Sequence, residues 1–293
     1  MLRLTKRKFE ALQFQLYSPN LSATVQLKRS WVFNGMDLAS VREVLARTQA
    51  SGSEAGGSSF TRNVASLLER VEYRRCESGE DLEAIYRLRY RAYRANQFVP
   101  ESPDRITTDI FDDTPNCYRF GVFIENELVS TVRIHHVSQA EPFAPIISSF
   151  EDVLVPRLER GESFINPTLL AADPQAAVIY RALPYVTLRL AVIANSYFDT
   201  TSCICVVRAE HAAFYRRVFG AVQVGEPRSY PPFTVTVMLY DANCAINMPR
   251  TLERFPFFKS KPVEQRLLFG RTQGQDDSPL TILPTAKYLQ QAA

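Results

Sequence analysis

From residue 71 onward the apolar positions fall into a succession of short periods. Val71 to Cys76 reads as a strand. Ser78-Gly-Glu-Asp81 has the composition of a helix start, and a helical run then continues to about Ala95. Residues 96–117 show no period and contain Pro100, Pro103 and Pro115, which predicts a long loop of the kind that carries function in compact domains. Tyr118 to Ile124 and Leu128 to Val137 flank Glu125-Asn-Glu127 as a predicted hairpin. A helix follows from Phe150 to Arg160, stopped by Gly161, then a strand from Ser163 to Ala171. The next helix runs to about Tyr197, with Pro184 marking its start or a kink. Ser202–Val207 predicts a strand, Glu210–Phe219 a helix, and Ala221–Val224 and Phe233–Tyr240 the last strands. Beyond Asn243 the pattern weakens and shows neither repeat nor core periodicity. Upstream, Asp37 to Arg47 has the spacing of a short amphipathic helix, and Ser51 to Ser59 has the composition of a flexible linker.

This alternation predicts an α/β fold with a mixed central sheet flanked by helices. It divides the chain into a basic extension and linker (1–60), a folded domain (61–245) and a tail (246–293).

Composition narrows the reading. The 293 residues are 46% hydrophobic and 22% charged, enough to bury a core. A net charge of +3 allows acidic partners without pointing to nucleic acid. Five unevenly spaced cysteines argue against a disulfide framework, and no second pair or nearby histidine completes a metal site beside Cys203 and Cys205. They read as buried thiols of a reducing compartment, which with the lack of a signal peptide places the protein in the cytoplasm. The apolar stretch Ala182–Phe198 is short for a membrane span and carries Arg189. The first thirty residues hold Arg3, Lys6, Arg7, Lys8, Lys28 and Arg29 against Glu10 alone. They read as a loose tail or as an arm making peripheral membrane contact.

Three segments carry candidate chemistry. In Tyr86–Arg94, Tyr86, Tyr90 and Tyr93 share one helical stripe, and Arg87, Arg91 and Arg94 another. The basic stripe is either a solvated face or a docking face for an acidic partner. In Thr107–Asp113, three acids stand within five residues, as turn and cap aspartates or as partners for an arginine or an amine. In Leu128–Val137, alternation puts Val129, Thr131, Arg133 and His135 on one face. An arginine there needs a partner, for which Asp109 or Asp112 is suitable. His135 and His136 face opposite ways, so they do not ligate one metal.

Leu88-Arg-Tyr-Arg-Ala-Tyr93, Thr108-Asp-Ile-Phe-Asp112 and Val129-Ser-Thr-Val-Arg133 together resemble the N-terminal signature of acyl-homoserine lactone synthases. They are similar in the same places to FeeM-type N-acyl amino acid synthases. Glu210 to Gly220 and Gly225-Glu-Pro-Arg-Ser-Tyr230 resemble the FeeM side more closely. The resemblance covers about residues 71–242 and implies the GNAT-like acyltransferase fold. It further implies that Arg89, Asp109, Asp112 and Arg133 form a charged cluster bracing the active-site loop. Phe98 would cover the substrate with Tyr93 nearby. Asp109, Arg133 and Thr168 would stand at the chemistry, with backbone N–H groups of the Thr168 strand polarising a thioester carbonyl. Val186 and Leu190 are candidate walls for an acyl tunnel.

Two departures sharpen the expectation. Lactone synthases carry an acid, one residue, a small hydroxyl and an arginine where this chain has Asn166-Pro-Thr-Leu169. That points away from an S-adenosylmethionine-dependent lactone synthase and leaves Asn166 as a substrate-binding candidate. Coenzyme A-dependent relatives cradle pyrophosphate with a glycine-rich helix start, whereas Ala171-Ala-Asp-Pro-Gln-Ala-Ala177 has no glycine and carries an acid there. The expected activity is therefore transfer of a fatty acyl group from an acyl-carrier-protein thioester, without bound cofactor, to a small amine. Acyl-coenzyme A is the alternative donor. A lactone synthase, a coenzyme A-dependent N-acetyltransferase and a non-catalytic carrier- or lipid-binding module are the alternative functions.

Overall fold

A helix rich in tyrosine and arginine and a helix that is apolar all round cover opposite faces of one sheet, and the candidate site lies at the seam between two of its strands. The computed structural model describes residues 59–230, 233–270, 281–282 and 284. The readings of the basic N-terminus and of the helix at Asp37–Arg47 lie outside the described residues.

In chain order the elements are α1 (Ser59–Leu68), β1 (Val71–Arg75), α2 (Gly79–Ala95), a 3₁₀ turn (Ile110–Asp113), β2 (Cys117–Ile124) and β3 (Glu127–Val137). Then come α3 (Pro145–Ser149), α4 (Glu151–Glu159), β4 (Phe164–Ala172), α5 (Pro174–Ile179), α6 (Leu183–Phe198) and β5 (Ser202–Val207). A second 3₁₀ turn (Ala209–His211) leads to α7 (Ala212–Phe219), β6 (Val222–Gln223), β7 (Arg228–Ser229) and β8 (Thr236–Asn243). The chain continues through α8 (Cys244–Arg254), a 3₁₀ turn (Pro256–Phe258), α9 (Pro262–Phe269) and β9 (Thr281–Ile282).

The sheet runs β6-β8-β5-β4-β3-β2-β1-β9, with β7 also on β8. Every pair is antiparallel except β4 with β5. That parallel pair is short: only Phe164 with Ser202 and Ile165 with Cys203 are in register. One residue further, Asn166 Nδ2 donates to the Ile204 carbonyl at 2.9 Å, and then comes Pro167, which has no N–H to give. The ladder between β4 and β5 therefore ends where the site begins.

The faces follow from side-chain alternation. Val132 and Ile134 of β3 enter a core with Val186, Leu190 and Ile193 of α6. On the other face Leu169 and Ala171 of β4 pack on Tyr90, Ala92 and Tyr93 of α2. Glu80 and Asp81 in the first turn of α2 and Arg94 in its last turn suit the helix dipole.

The structure amends several sequence expectations. Of the two roles expected of Pro184, the structure shows the start: it opens α6, where its missing N–H costs nothing, and a separate short helix, α5, precedes it. Ser59, read as the end of the linker, begins α1. The 96–117 loop holds a 3₁₀ turn. The segment after Asn243, which shows no core periodicity, nonetheless buries Phe255, Phe257, Phe258, Leu268 and Phe269. No helix among the described residues is long and apolar enough to cross a membrane.

Arg189 explains how that C-terminal segment is held. It is fully buried in α6 and forms a two-pronged pair with Glu264 of α9, at 2.5 and 3.0 Å. It also donates to the carbonyls of Phe257 (2.8 Å) and Lys259 (2.6 Å). A buried pair so satisfied tolerates its own desolvation, but deleting one member strands the other charge. R189M should therefore lower unfolding stability by roughly 3–5 kcal/mol, read from urea denaturation. A loss below about 1 kcal/mol would show that the pair does not fasten the segment.

Candidate active site

The long loop after α2 folds back because two aspartates cap each other's backbone. Asp109 caps the 3₁₀ turn by accepting from Phe111 N at 2.8 Å, and Asp112 accepts from Asp109 N at 3.1 Å. Thr108 Oγ1 donates to Asp112 Oδ2 at 2.9 Å, so three loop residues are locked before any arginine arrives.

Two buried guanidiniums then meet the pair of acids. Arg133 Nη1 and Nη2 donate to the two oxygens of Asp109 at 2.5 and 3.1 Å. Its Nη1 also lies 3.1 Å from Asp112 Oδ2, and its Nε donates to Thr168 Oγ1 at 3.0 Å. Arg89 Nη1 donates to Asp112 Oδ1 at 2.9 Å, with its guanidinium over the Tyr86 ring. Nε and Nη2 of Arg89 have no partner. Arg89, Asp112 and Arg133 are buried to within 1% of complete, whereas the Asp109 side chain is 23% exposed. Burial alone would push the Asp112 carboxyl up, but Arg89 and Arg133 outweigh it and hold it below the ordinary range.

Thr168 stands on a distorted piece of β4. Thr131 pairs with Ala171 while Arg133 pairs with Thr168, so Leu169 and Leu170 face Val132 alone, a two-against-one bulge. Leu169 has φ +49°, a left-handed value that costs a non-glycine residue roughly 1–2 kcal/mol. Tyr93 OH donates to the Leu170 carbonyl at 3.1 Å and Ser130 Oγ to the Ala171 carbonyl at 2.9 Å, which holds the bulge open. Such a bulge takes one backbone group out of the ladder beside Thr168.

Phe98 lies at the edge, with Arg208 over its ring and Phe98 near Tyr93. Asn166 is fully buried; its Nδ2 stitches β4 to β5 and its Oδ1 has no partner. An acid at this position has no N–H for the stitch, which accounts for the amide. Arg87, Arg91 and Arg94 are exposed along α2, and Arg87 pairs with Glu83 one turn away. His135 is buried, its Nε2–H donates to the Phe111 carbonyl at 2.9 Å, and its Nδ1 is unpartnered. His136 stacks on Phe198 on the other face.

The sequence did not single out Tyr230 as a site residue. Its hydroxyl is buried without a partner, and its ring stacks on Phe233, which packs edge-on against Tyr93. Burial raises its pKa, while Arg133 pulls the other way and Asp109 adds to the rise, which sets the hydroxyl within the field of the cluster. Only its place in the Gly225–Tyr230 motif marked it.

Behind the cluster, on the α6 face, lies a partly open pocket lined almost wholly by apolar side chains. Pro167, the neighbour of Thr168, lines it, as do Cys203 and Cys205, the like-facing pair on β5. Its α6 wall is Leu188, Ala191, Val192 and Asn195; the expected Val186 and Leu190 do not line it and sit in the fully buried core instead. Burial pushes the Cys205 thiol up to about 12, so it stays protonated and presents an apolar surface.

A mixed sheet whose one parallel pair parts beside a bulged strand is the architecture of GNAT-like acyltransferases. Residues 84–243 match the family described as N-acyl amino acid synthase FeeM, and the chain belongs to that family. It is an acyltransferase, of the N-acyltransferase class. Among solved structures, FeeM, an N-acyl amino acid synthase from uncultured soil microbes, aligns with a TM-score of 0.52 at 16% identity, covering 63% of this chain and 97% of that one. The CoA-dependent acyl-homoserine lactone synthase MesI aligns with a TM-score of 0.44 at 16% identity, over 60% of this chain and 88% of that one. An acyl-CoA N-acyltransferase from Pseudomonas aeruginosa gives a TM-score of 0.41 at 16% identity, over 58% and 97%. No curated protein matches the sequence.

The titrating groups of the cluster set a pH dependence. Burial, and then Arg133, hold His135 down to about 3 from an ordinary 6.5. Between those values the unfolded chain binds a proton that the folded chain refuses, so stability falls as pH drops through 6.5. Asp112, with its carboxyl held low, withdraws its own contribution only at lower pH still. The urea midpoint should decline from pH 7.5 to 4.5, with roughly 2–3 kcal/mol of the loss due to His135, and H135Q should flatten that decline. An unchanged slope in H135Q would assign the acid sensitivity elsewhere.

Proposed function

We propose that this enzyme transfers a fatty acyl group from an acyl-carrier-protein thioester to the amine of an amino acid or a similar small amine. The supporting observation on the donor side is Asp173. Its carboxylate accepts from Gln175 N at 3.0 Å and Ala176 N at 3.1 Å, and Pro174 removes another N–H, so the start of α5 is occupied by a negative charge. A coenzyme A pyrophosphate would meet that carboxylate where related folds offer free N–H groups. A pantetheine arm presented by a carrier protein brings no pyrophosphate to this point. Carrier proteins are acidic, and Arg87, Arg91 and Arg94 supply an exposed basic face.

In this reading the pantetheine arm enters the gap where β4 and β5 part, and the acyl chain fills the cavity beyond Pro167. The amine nitrogen attacks the thioester carbonyl carbon, the C–N bond forms, and charge develops on the carbonyl oxygen. The backbone at the Leu169–Leu170 bulge answers that charge, with Arg133 held in place by Asp109 and Thr168. The C–S bond then breaks, and the proton that the attacking nitrogen gives up passes through water to the departing thiolate. Asp109 acts as a brace and as an orienting acceptor: Oδ2 receives a single protein donor, so it keeps capacity for the substrate ammonium. Arg89 and Asp112 hold Asp109 and Arg133, Tyr93 holds the bulge, and Phe98 and Asn166 border the substrate.

Incubation of the protein with acyl-carrier-protein thioesters and pooled amino acids, read by mass spectrometry, should yield N-acyl amino acids. Equal product from acyl-coenzyme A would overturn the carrier assignment. A lactone from S-adenosylmethionine would make the enzyme a lactone synthase, and the absence of product from every donor would make it a binding module. T168A, which deprives Arg133 Nε of its acceptor, should lower kcat roughly tenfold or more with the fold intact. The triple variant R87E/R91E/R94E should raise KM for the carrier-borne donor and leave KM for a free pantetheine thioester unchanged; a parallel rise in both would show that the stripe does not dock the carrier.

A further inference from the structure

Part of the cavity's wall lies beyond the residues that match the family. The family match ends at residue 243, and α8 begins at Cys244. Asn247, Met248 and Thr251 of α8 line the cavity opposite Pro167 and Cys205. Without α8 the cavity would lie open along that side.

The wall is anchored at both ends. Its first residue, Cys244, donates its N–H to the Thr201 carbonyl at 3.0 Å. Along its length Thr251 Oγ1 donates to the Val218 carbonyl at 3.2 Å. Asn247 lies against Gly220, where an added Cβ would come within 2.3 Å of Asn247 Oδ1. Gly220 also carries φ +63°, so both its conformation and its neighbour require glycine, and α8 seats against the end of α7 for that reason. Beyond α8, the Arg189–Glu264 pair fastens the following segment to α6, which forms the cavity's third side. A wall held this way does not retreat to admit a longer chain, since packed interiors resist added volume.

We infer that α8, an element outside the family segment, gauges the acyl chain, with Met248 as the side chain that sets the longest chain accepted. The inference rests on the acyl cavity of the proposed function and adds to it the residues that choose the substrate. Each methylene excluded from an apolar cavity lowers binding by roughly fourfold. M248W should therefore weaken the longest chains the native enzyme accepts by roughly tenfold or more relative to shorter ones. M248A, which adds room, should move the preferred length upward.

The test has two readouts. In the first, kcat/KM is measured for a ladder of saturated acyl-carrier-protein thioesters with wild type, M248W and M248A. In the second, binding of free fatty acids of the same lengths is measured by displacement of a fluorescent fatty acid, which needs neither donor nor acceptor. Urea midpoints confirm that both variants fold. Opposite shifts of the length profile in the two variants support the gauge. Folded variants that keep the native length profile in both readouts overturn it while leaving the acyltransferase reading standing. Wild type that binds the fatty acid ladder but forms no product overturns the proposed function alone.

Discussion

A guanidinium in the middle of a sheet has to be paired before its strand can be buried, and Arg133 is the group on which this site depends. Its three side-chain partners come from two places in the chain. Asp109 and Asp112 come from a long loop whose regular structure is a single 3₁₀ turn, and Thr168 comes from the strand beside it. Each acid also serves the backbone of that loop, through the reciprocal cap. Folding the loop and burying the arginine are therefore one event. Arg89 completes the arrangement from α2, so helix, loop and two strands converge on four charges whose formal sum is zero.

The same strand that receives Arg133 separates the two halves of the proposed reaction. On β4, Thr168 faces the charged cluster and Pro167 faces the apolar cavity, as alternation requires. The β4–β5 ladder ends with Asn166, so the polar and apolar compartments meet at an unpaired seam rather than across an intact sheet. The left-handed Leu169 adds its strain at that seam, where Tyr93 and Ser130 oppose relaxation. On the proposed reading, charge is stabilised on one side of the seam, and a hydrocarbon chain is sheltered on the other.

Much of this was legible in the sequence, because it follows from local periodicity. Alternation in Leu128–Val137 exposed Arg133 as an arginine in need of a partner, and the acids of the loop before the hairpin were the available ones. Arg89 was expected in the cluster through the family resemblance. Other features had no local signature. Leu169 adopts a conformation usually announced by glycine, and nothing in its neighbours betrays it. Glu264 finds Arg189 across 75 residues, and the intervening phenylalanines cluster around an irregular turn rather than at helical spacing. Asn166 was visible as a departure from the lactone synthase pattern, but its physical reason, a side-chain stitch between parting strands, required the third dimension.

The same geometry bears on where the amine's proton can go. Among the described residues, the buried imidazole closest to the cluster is His135, which is held down to about 3 and committed through Nε2–H to the Phe111 carbonyl, so it accepts a proton only under acid conditions. Asp109 is bound through both oxygens to Arg133, so its carboxylate is already engaged as a brace. Attack on a thioester releases a thiolate as the amine surrenders its proton, so on the proposed reading the two charges can cancel through water without any strong base. The cluster then needs only to hold an ammonium near a partly exposed carboxylate and let the proton depart where Asp109 meets solvent. A charge network held by mutual hydrogen bonds is suited to that task, because it is already oriented when the substrate arrives.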